Sequence, residues 1–209
     1  MQKIWFNPED PAGFGSVATT AKAAKTSKME ADKWLRQQLA YSLNKPVLKR
    51  FPMRRYLSKS VNWMWQMDLM EMIPYARINK GYRYILTCID VFSRYARALP
   101  VKNKTAKDMA VAIQTMMKSV QPRYVQTDLG KEFYNSKVKA IFDKYGIKHY
   151  SVFSTYKACI VERFNRTLRG KITKYVTHIG KKVWYMVLPK LVKGYNNTPH
   201  RGVNGLRPV

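Results

Sequence analysis

Acidic residues are scarce in this chain. Asp and Glu together number 12 against 39 Lys and Arg, which gives a formal net charge of +27 over 209 residues. A positive field of this size indicates a polyanionic partner, usually a nucleic acid. A generic basic protein that binds RNA through charge alone, such as a ribosomal protein, would show the same balance, so charge leaves both alternatives open.

Cysteine, clustered histidine and long apolar runs are also missing. The two cysteines, Cys88 and Cys159, lie in apolar surroundings, which excludes a disulfide framework and suits a reduced intracellular protein. His149, His178 and His200 are too scattered to form a zinc quartet with them. There is no run of about 18 apolar residues and no secretory signal. We therefore expect no membrane partner and an intracellular location, the nucleus if the source is eukaryotic.

Composition divides the chain into an N-terminal extension, residues 1–57, and a core, residues 58–209. Apolar residues make up 46% of the sequence, which is enough for a buried core. Residues 1–28, rich in small residues and Lys, are predicted to be irregular. A helix is predicted over residues 28–44 from an apolar stripe of Trp34, Leu35, Leu39 and Leu43. Residues 45–56, with two prolines and five basic residues, are predicted to form an extended basic linker.

Periodic patterns in the core alternate between strand and helix. Strand-like runs cover residues 63–71, 82–91, 95–101, 123–127 and 147–152, and helical patterns cover residues 105–119, 136–145, 157–179 and 181–196. The order β-β-β-α-β-α-β-α-α predicts an α/β fold with a mixed five-stranded sheet flanked by helices.

Only eight acidic residues occur in residues 51–209, and their places are informative. Asp68 interrupts an apolar strand, where a charge is costly without a partner, and a structural ion pair would be its ordinary explanation. Asp128 follows a short strand, at the end where mixed sheets place ligand sites, although a turn-capping Asp is also common there. Glu132 is expected to shape the same loop or to cap the next helix.

Glu162 is the one acid in residues 144–209, which contain 14 Lys and Arg. It flanks the apolar face of a predicted helix, in line with Arg166 and Arg169. An ion pair with Arg166 would account for Glu162 taken alone. Three such carboxylates together suit the role of metal ligands. Carboxylate oxygens are hard ligands, and such ligands hold the two Mg²⁺ or Mn²⁺ ions that catalyse phosphodiester chemistry.

Four motifs in order resemble the catalytic core of retroviral-type DDE integrases, including those of Polinton/Maverick DNA transposons and of long-terminal-repeat retrotransposons. They are Trp65-Gln-Met-Asp-Leu69, Tyr84-Ile-Leu-Thr-Cys-Ile-Asp-Val-Phe-Ser-Arg-Tyr95, Gln126-Thr-Asp-Leu-Gly-Lys-Glu-Phe133 and Ile160-Val-Glu-Arg-Phe-Asn-Arg-Thr-Leu168. Residues 195–201 look like the end of such a core, and the likeness covers roughly residues 30–209.

The resemblance implies an RNase H-like fold in which Asp68, Asp128 and Glu162 share two Mg²⁺ (or Mn²⁺) ions. It implies an integrase or transposase that processes the 3′ ends of mobile-element DNA and then transfers the strand. Water attacks in the first step and a DNA 3′-hydroxyl in the second. The implied partners are DNA, as element ends and target, and further copies of the chain in a homo-oligomer on DNA. The DNA-contacting residues implied in the same way are Lys157, Asn165, Arg166 and Arg169.

The sequence departs from this family in three respects. Asp128 and Glu162 are separated by 33 residues, slightly fewer than is usual. No His-His-Cys-Cys zinc module can be assembled, and the chain stops at Val209, where such cores end. The intact acidic triad favours an active polynucleotidyl transferase, while the short ends favour a domesticated or decayed DNA-binding protein of the same fold. An RNase H-type nuclease is a weaker third alternative, against which the motif that follows Glu162 argues.

Overall fold

The computed structural model describes residues 1–44, 58–151 and 158–208. These residues form five strands: β1 (Met64–Glu71), β2 (Tyr84–Asp90), β3 (Ala96–Val101), β4 (Tyr124–Thr127) and β5 (Lys148–Ser151). They also form eight α-helices: α1 (Gln2–Trp5), α2 (Val17–Ala23), α3 (Lys28–Arg36), α4 (Leu39–Ser42), α5 (Ala106–Met116), α6 (Ser136–Lys144), α7 (Cys159–Ile179) and α8 (Leu188–Asn196). Three 3₁₀ helices cover Ile73–Tyr75, Arg77–Asn79 and Arg201–Val203. The predicted basic linker, residues 45–56, lies outside the described residues.

The strands form one mixed sheet in the order β3-β2-β1-β4-β5. β2 is antiparallel to both β1 and β3, whereas β1, β4 and β5 are parallel to one another. The sheet and its flanking helices confirm the predicted α/β class and agree with an RNase H-like fold. No helix in the described part of the chain has the length and apolarity needed to cross a membrane.

The two faces of the sheet have separate hydrophobic cores. On one face Trp65 and Met67 of β1 pack with α5 and α6. On the other face Met70 packs with α7, α8 and the N-terminal helices. Side chains alternate along a strand, so Gln66 and Asp68 lie on the same face as Met70, toward α7. The position of Asp68 is therefore set by the apolar residues on either side of it.

Caps and breakers explain where the core helices begin. The Thr105 hydroxyl accepts the Asp108 backbone N–H at 3.1 Å, so Thr105 is the N-cap of α5. The sequence predicts the last helix over residues 181–196, but this helix begins only at Leu188. Pro189 lies in its first turn, where a missing N–H costs nothing, so the helix starts there and residues 181–187 form a loop.

The N-terminal residues are folded, so the prediction that residues 1–28 are irregular is wrong. They contain α1 and α2, and the side chains of Trp5 and Phe14 are buried in the core on the α7 face. The small residues of this segment permit close packing, since a Cβ on Gly13 would overlap the Asn7 carbonyl oxygen. Small residues usually indicate irregular structure when the sequence is considered alone. In this segment they instead allow close packing against the rest of the fold.

The helix predicted over residues 28–44 is divided into α3 and α4. Gln38 between them is extended (φ −86°, ψ 118°), and its side-chain amide donates to the Trp34 carbonyl, which satisfies the end of α3. The break turns α4 so that Tyr41 is buried, whereas Leu39 and Leu43 of the predicted stripe are exposed. Burial of the tyrosine ring in the aromatic cluster around Trp5 replaces burial of the two leucines.

Two lysines of α7, the buried Lys171 and the partly buried Lys174, bind the N-terminal segment. The ammonium of Lys171 donates to the Gly13 carbonyl at 2.7 Å, and that of Lys174 donates to the Phe14 carbonyl at 3.0 Å. Burial lowers the pKa of Lys171 to about 8 and also lowers that of Lys174. Folding removes the Gly13 and Phe14 carbonyls from water. The two ammonium groups replace that water as hydrogen-bond donors, so the carbonyls are not left unsatisfied.

We expect the stability of the protein to rise with pH above about pH 8 because of Lys171. Its folded pKa is about 8, below that of an unfolded lysine, so the unfolded state binds more protons in this range and becomes less favourable as pH rises. The gain should approach ~1 kcal/mol per pH unit. Thermal unfolding between about pH 7.5 and 9.5 would measure it. Lys171→Met should lose most of this rise and the exposed control Lys137→Met should keep it; equal rises in both variants would contradict the assignment.

Candidate active site

Asp68 lies on β1 without a basic partner among the residues that the structure describes. Its carboxylate accepts the Leu69 backbone N–H at 2.8 Å and the side-chain amide N–H of Asn165 at 2.7 Å. Burial raises the pKa of Asp68, and the nearby charges of Asp128 and Glu132 raise it further, against the lowering effect of the two hydrogen bonds. The structural ion pair that would ordinarily explain such an Asp is therefore not found among residues 1–44, 58–151 and 158–208.

Asp128 follows β4 directly, on the strand next to Asp68. The parallel register pairs Gln66 with Gln126, so the two aspartates, each two residues further on, reach the same level of the sheet. Asp128 is exposed, and its carboxylate accepts the Gly130 backbone N–H at 3.1 Å. Both interpretations of the sequence thus apply: Asp128 caps its own turn and also lies at the strand end beside Asp68.

Glu132 completes an acidic group at this end of the sheet. Its carboxylate folds over Gly130, where an added Cβ would lie 2.6 Å from the Glu132 carboxyl carbon. This position agrees with the expected role of Glu132 in the loop. The cap of α6 is a different residue, Asn135, whose side chain accepts the Val138 N–H at 3.0 Å. The signal for that cap was present, since Asn immediately before an apolar-periodic segment favours a helix start.

Glu162 lies in the first turn of α7 and is exposed. An ion pair with Arg166 would account for Glu162 without a metal, but this ion pair does not form in the described part of the chain. Within residues 1–44, 58–151 and 158–208, no three His, Cys, Asp or Glu side chains converge as a preformed metal cluster. The structure thus brings Asp68 near Asp128 and Glu132, and it places Glu162 on the helix that contacts Asp68 through Asn165.

Two buried glutamines hold the beginning of α7 against the strands of the aspartates. The Gln66 side-chain oxygen accepts the backbone N–H groups of Ile160 and Val161 at 3.0 and 3.1 Å. Its side-chain amide donates to the Gln126 side-chain oxygen at 3.0 Å. Gln66 therefore caps, from another element, the turn that carries Glu162, and it links that turn to both β1 and β4.

These glutamines were missed by sequence reasoning, although a signal existed. Each is a polar residue in an apolar strand, and each stands two residues before a predicted catalytic aspartate. Residues two apart in a strand share a face, so Gln66 and Gln126 had to face the same side as the acids. Their partner on α7 could not be inferred from the sequence, because the hydrogen bonds join positions 94 and 95 residues apart.

The residues expected to contact DNA have different surroundings. Asn165 is engaged with Asp68, and its side-chain oxygen is buried without a hydrogen-bond partner in the described residues. Arg166 and Arg169 are exposed on α7. Lys157 lies outside the described residues. DNA contact by these four stays a prediction, and for Asn165 the structure adds a second role, that of orienting the Asp68 carboxylate.

Cys159, three residues before Glu162, is not suited to act as a nucleophile. Its side chain is partly buried, and burial raises the pKa of the thiol. A raised pKa keeps the sulfur protonated near neutral pH, and the thiol is a poor nucleophile compared with the thiolate. The carboxylates of this site are therefore better candidates for chemistry than the thiol.

Comparison with known proteins agrees with this arrangement. Residues 58–152 match the integrase core domain family, a range that includes Asp68 and Asp128 and ends before Glu162. The chain is 39% identical over 140 residues to a transposon-derived protein of Caenorhabditis elegans, covering 66% of this chain and 49% of that protein.

Retroviral proteins are similar to the chain as well. It is 32% identical over 151 residues to the Gag-Pol polyprotein of Feline leukemia virus and 30% identical over 151 residues to the Pol polyprotein of Radiation murine leukemia virus (strain Kaplan). Each match covers 69% of this chain, but only 8% and 25% of those polyproteins. The chain thus spans about half the length of the transposon-derived relative and less of the viral ones. With the strand order and the acids at the strand ends, these matches show that residues 58–152 belong to the integrase core domain family.

Proposed function

We propose that the chain is a metal-dependent polynucleotidyl transferase that processes and joins mobile-element DNA. One observation carries this proposal: a partly buried Asp68 carboxylate lies near Asp128 and has no Lys or Arg partner in the described residues. In a chain with a net charge of +27, two neighbouring carboxylates that meet no basic side chain among the described residues are suited to hold another cation. Family membership of the core and the names of its relatives point to DNA as the substrate.

The available ligands fit Mg²⁺ or Mn²⁺. Asp68, Asp128 and Glu162 offer only carboxylate oxygens, which these hard ions prefer. The raised pKa of Asp68 fits as well, since a bound cation would favour the charged form that burial disfavours. Two such ions supply activation of the attacking oxygen and stabilisation of the leaving oxygen in phosphodiester chemistry.

The chain's own residues perform the remaining tasks. The Asn165 amide fixes the orientation of the Asp68 carboxylate, and Gln66 fixes the turn that carries Glu162. Arg166 and Arg169, exposed on the same helix, are available to hold phosphates of the DNA beside the carboxylates. The proposal includes a homo-oligomer assembled on DNA and, in a eukaryotic source, action in the nucleus.

A titration of the purified chain with Mn²⁺ tests the metal site, with nicking of labelled duplex DNA as the second readout. Glu162→Gln keeps the shape of the side chain and removes its charge, so we expect Mn²⁺ affinity to fall by about tenfold or more and nicking to cease. Asp143→Asn, an exposed acid on α6, is the matched control and should behave like the native chain.

The opposite outcome would assign the chain a different function. If the native chain binds DNA with a steep salt dependence, yet neither nicks nor joins it with either metal ion, catalysis by this chain is wrong. A DNA-binding protein of the same fold would then be the better conclusion. One observation favours a DNA-binding protein without catalysis: Glu162 is exposed and belongs to no preformed metal cluster among the described residues.

A further inference from the structure

A second basic surface lies beyond the carboxyl end of β1, about 10 Å along the strand direction from Asp68. Here the two 3₁₀ helices after β1, the start of β2, the chain after β3 and the α7–α8 loop come together. We name this the Lys/Tyr surface and define it by Tyr75, Lys80, Tyr82, Lys102, Lys182 and Tyr185. Its residues come from three separate segments of the chain, residues 75–82, Lys102 and residues 182–185, so it exists only in the folded protein.

Lysines and tyrosines are interleaved on this surface. The ammonium groups of Lys182, Lys80 and Lys102 lie 5.7, 5.4 and 5.8 Å from the ring centroids of Tyr75, Tyr185 and Tyr82, respectively. The Tyr82 and Tyr185 rings are themselves neighbours, with centroids 5.7 Å apart. The three lysines are exposed while the three tyrosines are partly buried. The rings thus hold the ammonium groups in place and leave them open to a partner.

A buried asparagine joins the segments beneath this surface. Asn79 is 0% exposed, and its side-chain amide donates to the carbonyls of Tyr75 and Lys182 at 2.7 and 2.8 Å. Its side-chain oxygen accepts the Trp184 N–H at 2.7 Å. The turn after β1 and the α7–α8 loop are therefore fixed to each other, and the Lys/Tyr surface has a defined shape.

The charge around the Lys/Tyr surface is almost entirely positive. Arg77, Arg83 and Lys181 are exposed at its edges. The neighbouring acid, Glu71, is bound to Lys104 at 2.8 Å. A surface of this sign attracts a polyanion, and lysine ammonium groups contact phosphates as point charges without reading base edges.

We propose that the Lys/Tyr surface holds the phosphate backbone of a DNA duplex without regard to its sequence, as the target of strand transfer requires. This inference deepens the proposed function and rests on it. α7 runs from Gln66 past Asp68 to the α7–α8 loop, over about 30 Å. Its arginines lie near Asp68, and the Lys/Tyr surface lies at its far end. A reaction that joins two DNA segments needs two separate holding surfaces, and α7 carries one of them just after its contact with Asp68 and ends at the other.

A triple variant, Lys80→Ala with Lys102→Ala and Lys182→Ala, tests the assignment. Its matched control, Lys118→Ala with Lys137→Ala and Lys139→Ala, removes the same charge from exposed positions just after α5 and on α6. Affinity for a fluorescent duplex of about 30 base pairs would be measured between about 50 and 200 mM salt. We expect the log–log salt slope of the first variant to be shallower by about 0.9 for each phosphate that its lysines no longer neutralise, and that of the control to be unchanged.

Arginine replacements at the same three lysines should restore the slope, which separates the removal of charge from a failure to fold. Equal slopes in the two alanine variants would overturn the proposal. The binding readout does not require catalysis, so it decides the role of the surface even if the chain proves inert. If the chain is active, the first variant should still nick a short element-end duplex while its joining to a separate duplex falls by about tenfold or more; unimpaired joining would also overturn the proposal.

Discussion

Asp68→Asn should abolish nicking and joining of DNA and yet make the metal-free protein more stable. The loss of activity, about 10³-fold or more, follows from the loss of a charged oxygen ligand, because each tenfold corresponds to about 1.4 kcal/mol of barrier. The gain in stability follows from burial: desolvation raises the pKa of Asp68, so at neutral pH the folded state contains a charge that burial penalises. Asn removes that charge.

The hydrogen bonds around Asp68 can survive this substitution. The new side-chain oxygen can accept the Leu69 N–H in place of the carboxylate. The new amide would then face the Asn165 amide, but rotation of Asn165 presents its side-chain oxygen, which is buried without a partner in the described part of the chain. The substitution therefore tests the charge with little change in shape.

Thermal unfolding with and without Mn²⁺ would measure both effects. The native chain should gain stability from the ion and the variant should gain little, since only a ligand that binds the folded state stabilises it. Without metal the variant should unfold roughly 2 °C or more above the native chain at neutral pH. The difference in unfolding temperature should disappear on acidification. The pKa of Asp68 is higher in the folded protein than in the unfolded one, so the native chain loses stability as pH rises above the pKa of an unfolded Asp and regains it as pH falls. A metal-free variant less stable than the native chain would show that Asp68 is a structural residue.

Local signals in the sequence were enough to predict the core of the fold. Strand-like runs gave β1 to β5 in order, and helical patterns gave α5, α6 and α7, whereas the predicted start of the last helix at residue 181 was too early. The position of Asp128 at a strand end followed from the same pattern. These features depend on residues within a few positions of each other, which is why one sequence predicts them.

Contacts between distant segments could not be predicted in this way. Lys171 looks like any lysine of a basic helix, and only the fold shows that it meets the Gly13 carbonyl 158 residues away. The break between α3 and α4 depends on the burial of Tyr41 beside Trp5, which outweighs a regular apolar stripe. The same holds for the candidate site. The acids were visible in the sequence, but the hydrogen bonds by which Gln66 links β1, β4 and α7 were not.

Gln66→Leu should both destabilise the protein and impair catalysis, because Gln66 connects three elements of the site. The variant leaves the N–H groups of Ile160 and Val161 without their acceptor in a buried place, at a cost of roughly 1–3 kcal/mol for an unsatisfied group. Gln126 also loses the amide that donates to it. We expect a lower unfolding temperature and, in an active chain, a turnover reduced by about 10²-fold with little change in DNA affinity.

Hydrogen exchange distinguishes this positioning role from a general loss of stability. In Gln66→Leu the amides of the first turn of α7 should exchange about tenfold or more faster than expected from the global stability, because that turn loses its cap. Thr87→Val is the matched control: it removes a side-chain hydrogen bond to the Asp68 carbonyl, at 3.0 Å, and leaves the hydrogen bonds of Gln66 to the first turn of α7 in place. If the two variants lose stability, turnover and first-turn protection in parallel, Gln66 only supports the core. If only Gln66→Leu frees the first turn, then the position of the turn that carries Glu162 depends on a neutral amide. This amide caps the helix without adding a further negative charge near Asp68, which Asp128 and Glu132 already approach.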